Sequence, residues 1–269
     1  MATVPTPRFP LFVPADRPER IPKAAAAGAD GVIVDLEDAV APDRKDAARA
    51  IPEGALDHGA GVAMLLRVNA AGTPWHDDDL LFAAGAAVDG VVLPKAESAA
   101  GVEAVRSRLP EGRVVLALVE TARGLHAAGE IAAAADRVLF GSIDYAEDIG
   151  CAHTRQALLF ARCRLVEAAR LAGRPPPLDG VTAALDRDDA VRDDAAHALE
   201  LGFGGKLLIH PRQIGPARDA FRPDPASVDW ARRVLAAEGG GAAVIDGAMI
   251  DAPVVARARR ILARAGEDG

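Results

Sequence analysis

Eight short apolar runs divide this chain, each leading into a segment with helix signals. The runs are Pro10–Val13, Gly31–Asp35, Ala63–Val68, Gly90–Leu93, Arg113–Val119, Arg137–Gly141, Leu178–Val181 and Lys206–Ile209. Strands alternating with helices predict an α/β chain folded as a (β/α)8 TIM barrel, whose chemistry gathers where the strands end. The residues just past the runs are therefore the first to weigh: Ala15-Asp16-Arg17, Glu37-Asp38, Asn69, Lys95, Glu120, Asp144, Thr182 and His210. A length of 269 residues suits one such barrel. Half the residues are hydrophobic but only 4% are aromatic, so the core must be packed by Ala, Val, Leu and Ile.

The helical segments between the runs are predicted at Asp43–Ala50, Asp77–Ala87, Ser98–Arg108, Thr121–Ala135, Ala152–Ala172 and Asp188–Leu201. An earlier one starts with Asp16 as N-cap and Pro18 in its first turn, and stops near Gly28. After the last strand come Ile214–Phe221, Asp224–Ala237, a glycine run Gly239-Gly240-Gly241 and a terminal helix Val254–Ala265. The chain thus reads as a barrel over residues 1–222 and a C-terminal helical extension over 223–269. That extension is either a lid or a packed appendage, on its own barrel or swapped to a neighbour.

Thirty-one basic against thirty-nine acidic residues leave a net charge of −8. This excludes the basic footprint of non-specific nucleic-acid binding, while local cationic pockets remain open. Arg17, Arg20 and Lys23 are such a group, read as solvated helix residues before phosphate ligands. Cys151 and Cys163 have no metal spacing and read as plain buried or half-buried thiols. No membrane span and no signal-peptide core are evident, so the expectation is a soluble cytoplasmic protein.

Arg67 near the end of the third run has a fork suited to a carboxylate, or to a structural bridge with a barrel acid. Glu120 and Asp144 end the fifth and sixth runs, and two such carboxylates can hold Mg²⁺, which takes few protein oxygens. Together with Arg67 they can grip a 2-oxo acid by its carbonyl and carboxylate. Asp35, Glu37 and Asp38 are too close together to be all charged, buried and unpaired. One is expected to pair with Arg67 or Lys95, or to assist a metal through water, or Asp38 caps a helix. Lys95 is read as an ammonium paired with Glu97 rather than a Schiff-base lysine, and His210 as structural rather than a base.

Seven segments in order resemble the citrate lyase β-subunit-like branch of the HpcH/HpaI aldolase superfamily: LFVPADRPER, GADGVIVDLEDAVAPDRK, LLRVNAAGTPW, VVLPKAES, LALVETARG, GFGGKLLIHPRQI and GAMIDAP. They run from residue 11 to residue 253, nearly the whole chain. The resemblance implies a TIM barrel, Mg²⁺, and reversible carbon–carbon cleavage of a 3-hydroxyacyl-CoA, such as malyl-CoA or citramalyl-CoA, to an acyl-CoA and a 2-oxo acid. By motif it implies Arg67 as the substrate-carboxylate arginine, and Glu120 and Asp144 as metal ligands that also contact substrate, beside Gly141. Glu37 and Asp38 match the family's acidic pair. Asp251 matches an Asp brought by a neighbouring subunit of a homo-oligomer, a trimer or hexamer. Where the family often reads GAED, this chain has Gly141-Ser142-Ile143-Asp144, losing one acidic neighbour. The alternatives are a citrate lyase β subunit working on a citryl group held by an acyl carrier protein, and a non-catalytic binding barrel.

Overall fold

The computed structural model describes residues 6–52, 54–57, 61–237, 244–246 and 248–266. Two compact units are present, one ending at Ala217 and the other beginning at Arg218.

The first unit carries β1 (Pro10–Pro14), α1 (Ile21–Ala26), β2 (Gly31–Asp35), α2 (Lys45–Ala48), β3 (Ala63–Arg67), α3 (His76–Gly85), β4 (Gly90–Leu93) and α4 (Ala99–Arg106). It continues with β5 (Val114–Val119), α5 (Ala122–His126), α6 (Ala128–Ala134), β6 (Arg137–Phe140), α7 (Ser142–Ile149), α8 (Leu159–Leu171), β7 (Leu178–Asp179), α9 (Asp188–Leu201), β8 (Gly205–Lys206) and the first half of α10 (Ile214–Phe221). The eight strands pair in sequence order and in parallel. A bridge between Leu11 and Leu208 joins the last segment to the first, with Phe12 N donating to Leu208 O at 2.8 Å and Leu208 N to Pro10 O at 3.0 Å. The fold is therefore the (β/α)8 barrel that the alternation predicts.

Parallel strands covered by helices are buried on both faces, which is why they read as continuous apolar runs. Every residue of β2, β3, β4, β5 and β6 is buried. Ile33, Leu65, Val92, Leu116, Leu139 and Leu178 pack together as the inner core, each from a different strand. Such side chains contribute roughly 1.5–3 kcal/mol apiece on burial.

Four expectations for the local structure need correction. The strands expected at Leu178–Val181 and Lys206–Ile209 shrink to β7 and β8 of two residues each. There the polar groups turn to other partners: Gly180 O accepts from the buried Lys206 Nζ, and Ile209 N donates to Gln213 Oε1. The helix expected over Ala152–Ala172 begins only at Leu159, while α7, ended by a left-handed Gly150 (φ 71°), replaces part of the expected loop. Thr121–Ala135 is two helices that meet at Ala127, with Thr121 capping the first by accepting from Gly124 N. Asp16 caps nothing: the turn Pro18–Arg20 precedes α1, and Asp16 faces Arg44 at 3.5 Å.

The second unit is built on α11 (Pro225–Ala236), the short antiparallel pair β9 (Val244–Ile245) and β10 (Ala248–Met249), and α12 (Ala252–Ala265). Ala231, Val234, Val255, Ala258, Ile261 and Leu262 form its own apolar core. The glycine run at 239–241, where a hinge was expected, lies outside the described residues. No helix among the described residues is long and apolar enough to cross a membrane.

Candidate active site at the barrel mouth

Strand register creates the first half of the site. Asp35 and Arg67 are the last residues of β2 and β3 and are direct Cα partners. Arg67 Nε donates to Asp35 Oδ1 at 2.7 Å and Nη2 to Oδ2 at 2.5 Å, a two-pronged contact that matches guanidinium to carboxylate. Its Nη1 lies 3.1 Å from Glu37 Oε2 and 3.5 Å from Asp38 Oδ2. All three acids of the second loop thus converge on one arginine. Burial alone would lower the Arg67 pKa; Asp35, then Glu37 and Asp38, more than offset it and raise it. Asp38 does not cap a helix. Asp35 organises the loop, accepting from Glu37 N at 2.8 Å and Ala39 N at 3.2 Å.

Beneath this loop lie groups that sequence reasoning passed over. The buried Lys45 donates from Nζ to Leu36 O at 3.0 Å and Glu37 O at 2.8 Å, above the Trp75 ring. Asn69 Nδ2 also donates to Leu36 O, and Asp79 receives both nitrogens of Asn69. The α2 Lys and the α3 Asp carry no motif signal; only the fold brings them here.

Lys95 joins the two halves. Its ammonium pairs not with Glu97 but with Glu37, Nζ to Oε1 at 3.0 Å, while Glu97 turns to Thr121 and Arg123. Its backbone N donates to Glu120 Oε1 at 2.7 Å. It does both from a left-handed backbone with φ 46°, uncommon for a residue with a Cβ. Burial opposes the charge on Lys95, yet its hydrogen bond and attraction to Glu37 raise its pKa. Glu37 itself sits above the usual carboxylate range because burial outweighs Arg67.

The second half is Glu120 after β5 and Asp144 in the first turn of α7. Both line one cavity of about 400 Å³ with Arg67, Asp35, Asp38 and Gly141. Glu120 is buried, and burial, then Glu37 and Asp144, push its pKa up to about 8. Glu120 and Asp144 thus offer two carboxylates to one cavity. Gly141 leaves the room: a Cβ there would lie 2.5 Å from Glu120 Cβ and closer still to Oε2. Two carboxylates fit Mg²⁺, which keeps water and substrate oxygens in its shell. Among the described residues no cluster of three or more His, Cys, Asp or Glu is arranged for a metal.

The remaining sequence candidates make the following contacts. His210 Nδ1 accepts from Arg212 N at 3.2 Å, the structural role. The neighbouring Gln213, with no assigned role in the sequence, is buried and donates to Thr182 O and Ala184 O. Asp251 caps α12 of the second unit, accepting from Val254 N at 3.0 Å. Cys151 and Cys163 are free thiols, and Cys163 is exposed rather than buried.

Fold and mouth together define a (β/α)8 barrel with an acid-rich, arginine-centred pocket at its strand ends. The HpcH/HpaI aldolase/citrate lyase family matches residues 8–211. A citrate lyase subunit beta-like protein of Mycobacterium tuberculosis is 43% identical over 96% of this chain and 95% of its own length. A (3S)-malyl-CoA thioesterase of Cereibacter sphaeroides is 35% identical over 96% and 94%. The crystal structure of M. tuberculosis CitE in complex with magnesium, acetoacetate and coenzyme A superposes with a TM-score of 0.86 at 40% identity, covering 97% of this chain and 98% of that one. The chain belongs to the HpcH/HpaI aldolase/citrate lyase family.

Proposed function

We propose that this protein is a Mg²⁺-dependent carbon–carbon lyase that cleaves, reversibly, a 3-hydroxyacyl-CoA such as citramalyl-CoA or malyl-CoA into an acyl-CoA and a 2-oxo acid. The observation that carries the reading is the sharing of one cavity by Glu120, Asp144 and Arg67.

Glu120 and Asp144 would hold the ion, which supplies Lewis-acid polarisation of the oxygen on the carbon being cleaved. Arg67 binds the carboxylate of the oxo-acid fragment with the N–H groups that Asp35 does not take; a guanidinium has five, and Asp35 uses two. Glu37 and Asp38 hold that guanidinium from the other side and, with Lys95, keep it in one orientation. In cleavage the substrate hydroxyl gives up its proton to a mouth carboxylate, Asp38, which lines the cavity. The hydroxyl oxygen becomes the new carbonyl, and the C–C electron pair passes to the acyl carbon as a thioester enolate. Asp251, supplied by a second copy in a homo-oligomer (trimer or hexamer), delivers the proton to that carbon, and the reverse step removes it.

Purified protein with Mg²⁺, acetyl-CoA or propionyl-CoA, and glyoxylate, pyruvate or oxaloacetate in turn should yield a condensed CoA thioester by mass spectrometry. Asp144→Ala should abolish it while the fold survives. Product only when the acyl group rides on an acyl carrier protein would instead support the citrate lyase β-subunit reading. No Mg²⁺ binding in calorimetry would support the non-catalytic barrel.

A further inference from the structure

The cavity is two-sided. Its polar lining is Asp35, Asp38, Arg67, Glu120, Ser142 and Asp144; most of the remaining wall is apolar, with Phe12, Leu118, Phe140, Val181 and Leu207. At the rim stands Ile143, 43% exposed, immediately before Asp144 in the first turn of α7. What sets Ile143 apart from other exposed apolar side chains is that it lines this cavity.

Charge points the same way. Among the described residues, the ion pairs of Asp35, Glu37 and Asp38 at this mouth are with Arg67 and Lys95, Lys45 lies beneath their loop, and Glu120 and Asp144 add two more acids. Among the described residues Arg67 is the only cation lining the cavity, and part of its fork is already taken by Asp35. One substrate carboxylate has a partner. A second would lie largely against apolar side chains in an acid-rich field, with no second cationic side chain in the described lining to meet it.

Resting on the lyase reading, we propose that the oxo-acid fragment handled here carries a single carboxylate and a short alkyl group, and that Ile143 is the residue selecting the alkyl group. Ile143 lines the same cavity as Asp144, so an alkyl substituent beside the fragment's carbonyl has its side chain within the same pocket. The apolar wall covers the rest of that substituent. A second carboxylate in the same place has no cationic lining side chain of its own among the described residues.

The test is calorimetric binding of glyoxylate, pyruvate, 2-oxobutyrate and oxaloacetate to the full-length protein at fixed free Mg²⁺. Affinity should rise about fourfold with each added carbon from glyoxylate to 2-oxobutyrate, the value of one buried methyl or methylene. Oxaloacetate, which has a carboxylate where 2-oxobutyrate has its terminal methyl, should bind at least about tenfold more weakly than 2-oxobutyrate. In Ile143→Ala, an exposed position where folding is not at stake, the step from pyruvate to 2-oxobutyrate should shrink below about twofold. Oxaloacetate binding as tightly as 2-oxobutyrate, or an unchanged ladder in Ile143→Ala, would overturn the inference and leave the lyase reading standing. Failure of all four acids to bind overturns both.

Discussion

Lys95 offers a test in which the usual ranking of two substitutions should reverse. In ordinary strand or helix positions Gly is less stable than Ala by roughly 0.5–1 kcal/mol, because it loses more backbone freedom on folding. At Lys95 the backbone is left-handed, φ 46°, which costs a residue with a Cβ about 1–2 kcal/mol. Lys95→Ala and Lys95→Gly both remove the 3.0 Å contact from Nζ to Glu37, and both keep the 2.7 Å backbone donation to Glu120. The lost ion pair cancels between them, leaving backbone strain against chain entropy. Lys95→Gly should therefore be more stable than Lys95→Ala by about 0.5–1 kcal/mol, or roughly 1–2 °C in melting temperature. Urea and thermal melts of both variants in EDTA measure the difference. Turnover should fall equally in the two, since each leaves Glu37 without its ammonium. An Ala variant as stable as the Gly variant would refute the claim that strain is stored here.

Gly141→Ala places a methyl inside the space of Glu120; overpacking of this kind costs about 1–3 kcal/mol, and Mg²⁺ affinity by calorimetry should drop with it. Arg67→Met removes the cation shared by Asp35, Glu37 and Asp38, and with buried acids left unpaired a loss of about 3–5 kcal/mol is expected in urea melts. In the metal-free protein Glu120 is raised from 4.5 to about 8, so the folded state holds its proton more tightly than the unfolded chain. That contribution is full below about pH 4.5 and is lost as pH rises through about 8. Melting temperature in EDTA should fall over that window, and Glu120→Gln should flatten the fall.

Much of the barrel was legible because parallel strands must be apolar throughout, and β2 and β4 begin and end where their runs do. The seventh and eighth strands were overread because Val181, Leu207 and Ile209 are apolar for the cavity's sake, not for a ladder's. Helix α7 was missed although Gly150 carries the stop signal, since acids spaced along it looked like a loop. In the site, Arg67 could be matched to the Asp35 loop from run positions alone, because both residues close neighbouring strands. Lys95 could be matched both to this acidic loop and to its near neighbour Glu97; the sequence could not choose, because Glu37 lies 58 residues away and is reached only through barrel closure. The support from Lys45 and Asp79 is likewise a product of packing with no local pattern.

The uneven laddering of the barrel has a kinetic consequence. β2 pairs through five residues with each neighbour, whereas β6 meets β7 at a single pair, Leu139 with Leu178. The ionic residues sit past β2 to β6; Val181 and Leu207 stand at the thinly bonded seam. Amide hydrogens in β2, β3 and β5 should exchange with deuterium only when the whole barrel opens, and those near Leu207 through smaller, cheaper openings. The charged half of the mouth is thus held as a fixed template, while the greasy half can breathe around whatever alkyl group it receives.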